Sequence, residues 1–161
     1  MPSLTMVHEM LDYPYWVRDR VLRRLEGMPV EVYLGDAGLD HGSIHRTLLH
    51  HLRAENNWRC RIEGQALSET KAAGLRELGE AWRAEEARWR ALIGQLSETD
   101  LERPVTYRFA SGEEHTDRLW QLVMHVFSHG VQHLGEVALA MTRYGFSPGD
   151  MDYMEYVHPA S

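Results

Sequence analysis

At 161 residues, with 43% hydrophobic and 25% charged positions, the chain is long enough to bury its own core and is expected to form one globular domain over 1–161. Its 24 acidic against 17 basic residues give a formal net charge of −7, the wrong sign for a protein that gains affinity by neutralising phosphates, so a nucleic-acid partner is not expected. No run approaches the roughly 18 apolar residues of a membrane span, and neither the amino terminus MPSLTMVHEMLDYPYW nor the lone cysteine, Cys60, suggests export, so a cytoplasmic location is expected.

Periodicity divides the chain into four long amphipathic segments. The first runs from about Leu4 to Glu26 and stops at Gly27-Met28-Pro29, with Pro14 either kinking it or marking its true first turn. The second begins near Ser43, a good cap residue, and runs through Trp58 to Glu63 ahead of Gly64. The third, Leu75 to Leu96, carries Leu75, Leu78, Trp82, Trp89 and Leu92 on one stripe, which assigns both tryptophans to the core. Arginines in RDRVLRR and RAEEARWRAL alternate with acids and apolar residues at helical spacing and read as solvated faces. PVTYRF then alternates and is rich in β-formers. With Ala110-Ser111-Gly112-Glu113 as a turn and EEHTD as the return, a short β-hairpin is expected. Thr116 or Asp117 is the expected cap of a fourth helix, Leu119 to about Tyr144, ended by Gly145 and Ser147-Pro148-Gly149. The fold class is therefore all-α, an antiparallel four-helix bundle whose long links permit crossovers.

His125, His129 and His133 recur every fourth residue in VMHVFSHGVQHLGE, and at about 3.6 residues per turn they stack along one side of the fourth helix. This is metal-ligand spacing, because neutral imidazoles so placed can share one divalent ion with a third ligand from elsewhere. The second helix supplies His50 and His51. At about 100° per residue, Ile44, Leu48, Leu52 and Ile62 define its apolar face, with His51 near the centre and His50 on the flank, so periodicity alone favours His51. On the fourth helix, Leu119, Val123, Val126, Gly130, Val137 and Met141 make the apolar face; His133 comes closest to it and His129 next. Residue spacing thus nominates His129, His133 and one of the His50/His51 pair.

These segments resemble a known family. SIHRTLLHHLRAENNW is similar to the S-I-x-x-T-L-x-H-[apolar]-x-x-A-E-x-x-W segment of the DinB/YfiT-like metal-binding bundles, and VMHVFSHGVQHLGE to their H-x-x-x-H-x-x-x-H-R-G-Q helix. DYPYWVRDRVL and SPGDMDYMEY resemble, more loosely, the family's aromatic first helix and its tail. The resemblance implies up-down-down-up connectivity, frequent homodimers, and one divalent ion, zinc or nickel, held by His50, His129 and His133, with His125 beside the site. Two departures stand out. The family's His-Arg-Gly-Gln is His133-Leu134-Gly135-Glu136 here, and Pro14 replaces the usual asparagine of the first helix.

Three neutral imidazoles leave such an ion its full charge and at least one open position, as in catalytic sites, where a bound water or thiol is acidified. Glu136, three residues after His133, is the candidate catalytic or ligand-orienting carboxylate. The family's thiol-using members imply a metal-dependent S-transferase or isomerase acting with a low-molecular-weight thiol on a small-molecule substrate. A metal-dependent hydrolase and a non-catalytic, stress-related metal-binding bundle are the alternatives. Cys60, between Arg59 and Arg61, is either a reactive thiol or an inert one.

Overall fold

The computed structural model describes residues 3–109 and 111–159. Helix α1 (Leu4–Leu25) starts where the Ser3 side chain accepts from the Met6 amide, and it runs unbroken through the buried Pro14. A short helix, α2 (Val30–Leu34), follows Pro29. Helix α3 (Ile44–Glu63) is capped by Ser43 and closed by Gly64, whose φ of +68° suits a residue without Cβ. Helix α4 (Leu75–Ile93) precedes a 3-10 turn at Asp100–Glu102. Strands β1 (Pro104–Arg108) and β2 (Glu114–Arg118) pair antiparallel with Thr106 opposite Thr116. They lead into α5 (Leu119–Arg143), and α6 (Tyr153–Val157) ends the described chain.

The helices and the hairpin agree with the sequence expectation, with four corrections. Thr116 and Asp117 lie within β2 and cap nothing; the N-cap of α5 is Arg118, whose amide bonds the Gln121 side chain. The third helix stops at Ile93, because Gly94 begins a turn in which Gln95 and Leu96 bond back to Leu92 and Ile93. Arg18, assigned to a solvated face, is buried and bonded to Asp19 and Glu86. Glu85, in the second arginine-rich stretch, is likewise buried, and it accepts from Asn56, Arg59 and Arg88. Of the expected hairpin turn, Ala110 lies outside the described residues, and Gly112 has a φ of +87°.

Helix α5 lies against α1 and α3, and α4 lies against the same two, while α1 and α3 are not among the closely packed pairs. The link between α1 and α3, which contains α2, is therefore a crossover. Apolar stripes from all four long helices merge into one core, with Trp82 and Trp89 fully buried. No described helix is long and apolar enough to cross a membrane.

One polar group sits inside this core. The Glu55 carboxylate accepts from the Tyr15 hydroxyl at 3.2 Å and from Trp82 Nε1 at 3.0 Å, and His51 Nε2 lies 2.9 Å from its other oxygen. His51 in turn fills the space at Gly130 of α5, where an added Cβ would stand 2.5 Å from its Nε2. Alanine is about 1 kcal/mol better than glycine in a helix, whereas overpacking a core costs about 1–3 kcal/mol. Gly130→Ala is accordingly expected to destabilise by up to a net ~2 kcal/mol and so to lower the urea midpoint at unchanged slope; a variant as stable as the parent would show that the ring yields freely.

Candidate metal centre

His51 turns inward to Glu55, and the next position around α3 brings the half-buried His50 toward α5. There it meets His129 and His133, at ring-centroid separations of 5.4 and 5.0 Å. The Nε2 atoms of His129 and His133 are 3.1 Å apart. A tetrahedral ion with metal–nitrogen bonds of about 2.0–2.1 Å spaces neighbouring ligand atoms about 3.3–3.4 Å apart, so this pair already stands near the bite that one ion requires.

The tautomer of His133 fits as well. Its Nδ1 lies 2.8 Å from Glu136 Oε2, and a carboxylate only accepts, so in the neutral ring the hydrogen is on Nδ1 and Nε2 presents a lone pair toward His129. Glu136 also accepts from the Gln132 amide at 3.1 Å. Although partial burial opposes it, the carboxyl is held below its ordinary range by these bonds from Gln132 and His133. His50 is pushed down to about 4 by burial, reinforced by the nearby His41, His133 and His51 and by Arg53. His129 is also pushed down to about 4, by burial and by His133, His51, His50 and His125. Both rings are therefore neutral at pH 7, the state in which imidazole binds a metal.

His41 joins the cluster without having been anticipated. It sits on the loop before α3, next to Gly42 with its φ of +85°, and its ligand nitrogen and those of His50 and His133 all lie within 4.8 Å of one another, a group to which the expected ligand His129 does not belong. Ring orientation separates the two roles. The His41 and His50 rings lie 3.9 Å apart at 22°, a spacing at which imidazoles can only overlap face to face. In this stacked arrangement their in-plane lone pairs run side by side and do not converge. His50 and His133 cross at 82°, and His129 and His133 at 80°, which lets in-plane lone pairs converge. His41 is thus placed as a cover over His50, and no spacing pattern in the sequence marks it.

A model of the DinB family matches residues 1–161. The chain belongs to the DinB family. Protein DinB of Bacillus subtilis (strain 168) is 25% identical to it over 160 residues, covering 92% of each chain.

The other candidates of this DinB-family chain fall outside the cluster. His51 is wedged between Gly130 and Trp82 with Nε2 committed to Glu55, which makes it a packing residue. His125 is exposed, packs edge-on to Trp58 at 5.0 Å and lies 5.8 Å from His129, a neighbour of the site. Cys60 is buried with Sγ 4.0 Å from Asn56 Oδ1, while Arg59 binds Glu85 and Glu63 and Arg61 lies over Trp58. A cleft of about 430 Å³ opens beside His41 and His50. Another of about 370 Å³, lined by Leu22, Glu26, Leu75, Arg76, Gly79 and Arg83, offers no histidine or cysteine.

Depressed histidine values carry a stability consequence. An unfolded histidine titrates near about 6.5, so between roughly that pH and 4 the unfolded chain takes up protons that His50 and His129 refuse in the folded, metal-free protein. Stability is then highest above the unfolded value and is lost as pH falls through this window. Thermal melts of the metal-free protein should decline from about pH 6.5 downward, and less steeply in His129→Asn. Parallel pH profiles for the two proteins would contradict the assignment.

Proposed function

We propose that this DinB-family protein holds one divalent ion, zinc or nickel, through His50, His129 and His133 and is an enzyme that activates a small thiol, or water, for attack on an electrophilic substrate. A bound ion would supply the positive charge that acidifies a thiol or water at its open position. The residues of the chain do the rest. Glu136 fixes the His133 tautomer and orientation through Nδ1 and so acts as a positioning carboxylate, a role whose loss typically weakens metal affinity 10–100-fold in roughly comparable sites. His41 and the rim of α3 shape the approach to His50. The same proposal takes the four long helices as an up-down-down-up bundle, in keeping with α5 lying against both α1 and α3.

The observation that carries the enzyme reading is access. The cleft of about 430 Å³ is lined by His50 and His41, though not by His129 or His133, and its volume is within the roughly 300–1,000 Å³ range of small-ligand sites, whereas a structural site would be sealed. The hydrolase alternative uses the same cluster, with water in place of the thiol.

Two measurements test this. Metal content per chain, by elemental mass spectrometry, should fall by most of its value in His50→Ala, His129→Ala and His133→Ala, persist in His51→Ala where that variant folds, and be weakened about tenfold or more in Glu136→Gln. Loss of metal from His51→Ala with retention in His50→Ala would reverse the assignment on α3. Fully metallated protein supplied with glutathione, mycothiol, bacillithiol or cysteine should conjugate a chlorinated aromatic electrophile with at least one of them. No turnover with any thiol leaves the hydrolase or a non-catalytic metal bundle.

A further inference from the structure

Arg46, Leu49, His50 and Arg53 follow one another on α3 at spacings of three, one and three residues, which places them on one stripe with His50 between two guanidinium groups. Together with His41 and His45 this stripe lines the cleft of about 430 Å³. His45 is a fixed part of the wall: its Nδ1 lies 2.8 Å from the Tyr33 hydroxyl and its Nε2 3.0 Å from the Ala72 carbonyl. The carbonyl can only accept, so Nε2 carries the hydrogen, Nδ1 accepts from Tyr33, and the ring has no group left for a ligand. Arg53 is tethered by Nε to the Thr70 carbonyl at 2.8 Å, an anchor that orients the side chain and leaves its terminal nitrogens for another partner.

Elsewhere on the surface, Arg76, Arg90, Arg108 and Arg118 each pair with a carboxylate. Among the described residues Arg46 and Arg53 form no ion pair, although acids outnumber bases by 24 to 17. What sets them apart is convergence: both border one cleft that has no acidic residue in its lining and that His50 also lines. Glu136, on the facing helix, is engaged by His133 and Gln132. A planar guanidinium matches a carboxylate through paired N–H donors.

We propose that the cleft recognises a small molecule bearing a carboxylate, held by Arg46 and Arg53 with its reacting end directed at His50. This rests on the metal-centred, thiol-activating function proposed above and adds the class of molecule delivered to it. The contribution expected of such charge-assisted bonds is roughly tenfold or more in affinity.

The test compares 3-mercaptopropionate with 2-mercaptoethanol, thiols of similar size with and without a carboxylate, on cobalt-substituted protein titrated by its visible spectrum. The parent should bind 3-mercaptopropionate about tenfold or more tightly, and Arg46→Gln/Arg53→Gln, at unchanged cobalt content, should lose that preference. Equal affinities in the parent, or a preference kept by the double variant, overturn the carboxylate site and leave the thiol function standing. If neither thiol changes the spectrum of fully metallated protein, the thiol function falls and succinate decides the carboxylate site. Amide shifts over 41–53 in metal-free parent that vanish in the double variant uphold it, and no succinate binding overturns it.

Discussion

The buried carboxylate of Glu55 is the constraint on which the helices depend. Withdrawing a carboxylate from water costs several kcal/mol unless its oxygens are hydrogen-bonded, and here the donors come from Tyr15 on α1 and Trp82 on α4, with His51 Nε2 of α3 itself 2.9 Å away. His51 passes the contact on to α5 by filling the space at Gly130. All four long helices thus meet at one polar centre, which fixes how far α3 can rotate and how closely α5 can approach it. Successive residues on a helix point about 100° apart. With His51 committed inward, His50 is carried to the flank, where His129 and His133 stand.

Two histidine–carboxylate pairs therefore lie a short distance apart and do different work. In the core, Glu55 and His51 are in contact and enclosed by Trp82, Tyr15 and Gly130, with Glu55 also accepting from Tyr15 and Trp82. At the rim, Glu136 holds His133 by Nδ1 and leaves Nε2 facing another imidazole. Partial burial keeps His50 and His129 neutral, since a charged ring would be poorly solvated and would repel its neighbours. The cluster is a set of neutral imidazoles in which His129 and His133 share a hydrogen bond between their Nε2 atoms, a place that a bound cation would take.

The long helices, the hairpin and the ridge of histidines on α5 were legible because period and turn chemistry report directly on local structure. His50 was not decidable from periodicity, which pointed to His51; the more central residue proved to be the packing residue, and the flank was the part of the face left open to α5 and the cleft. The choice of His50 as a ligand comes from the family pattern and not from the hydrophobic period. His41 is not legible in the sequence because its place depends on the loop before α3, and loop geometry leaves no period to read. The cap of α5 was misplaced because Thr116 and Asp117, though good cap residues, were already engaged in pairing with Thr106 and Val105. Arg18 and Glu85 show the same limit, since a charge that finds its partner across a helix interface can be buried where spacing alone assigns it to solvent.

The central claim is that the two long helices α3 and α5 supply three converging imidazoles to one ion. The most direct measurement is anomalous diffraction from crystals of the zinc- or nickel-loaded protein. The account predicts one peak per chain, about 2.0–2.1 Å from nitrogens of His50, His129 and His133, with an open side toward the cleft and His41 stacked on His50 outside the ligand sphere. A peak held by His41 in place of His129, or one centred on His51 and Glu55, would contradict it.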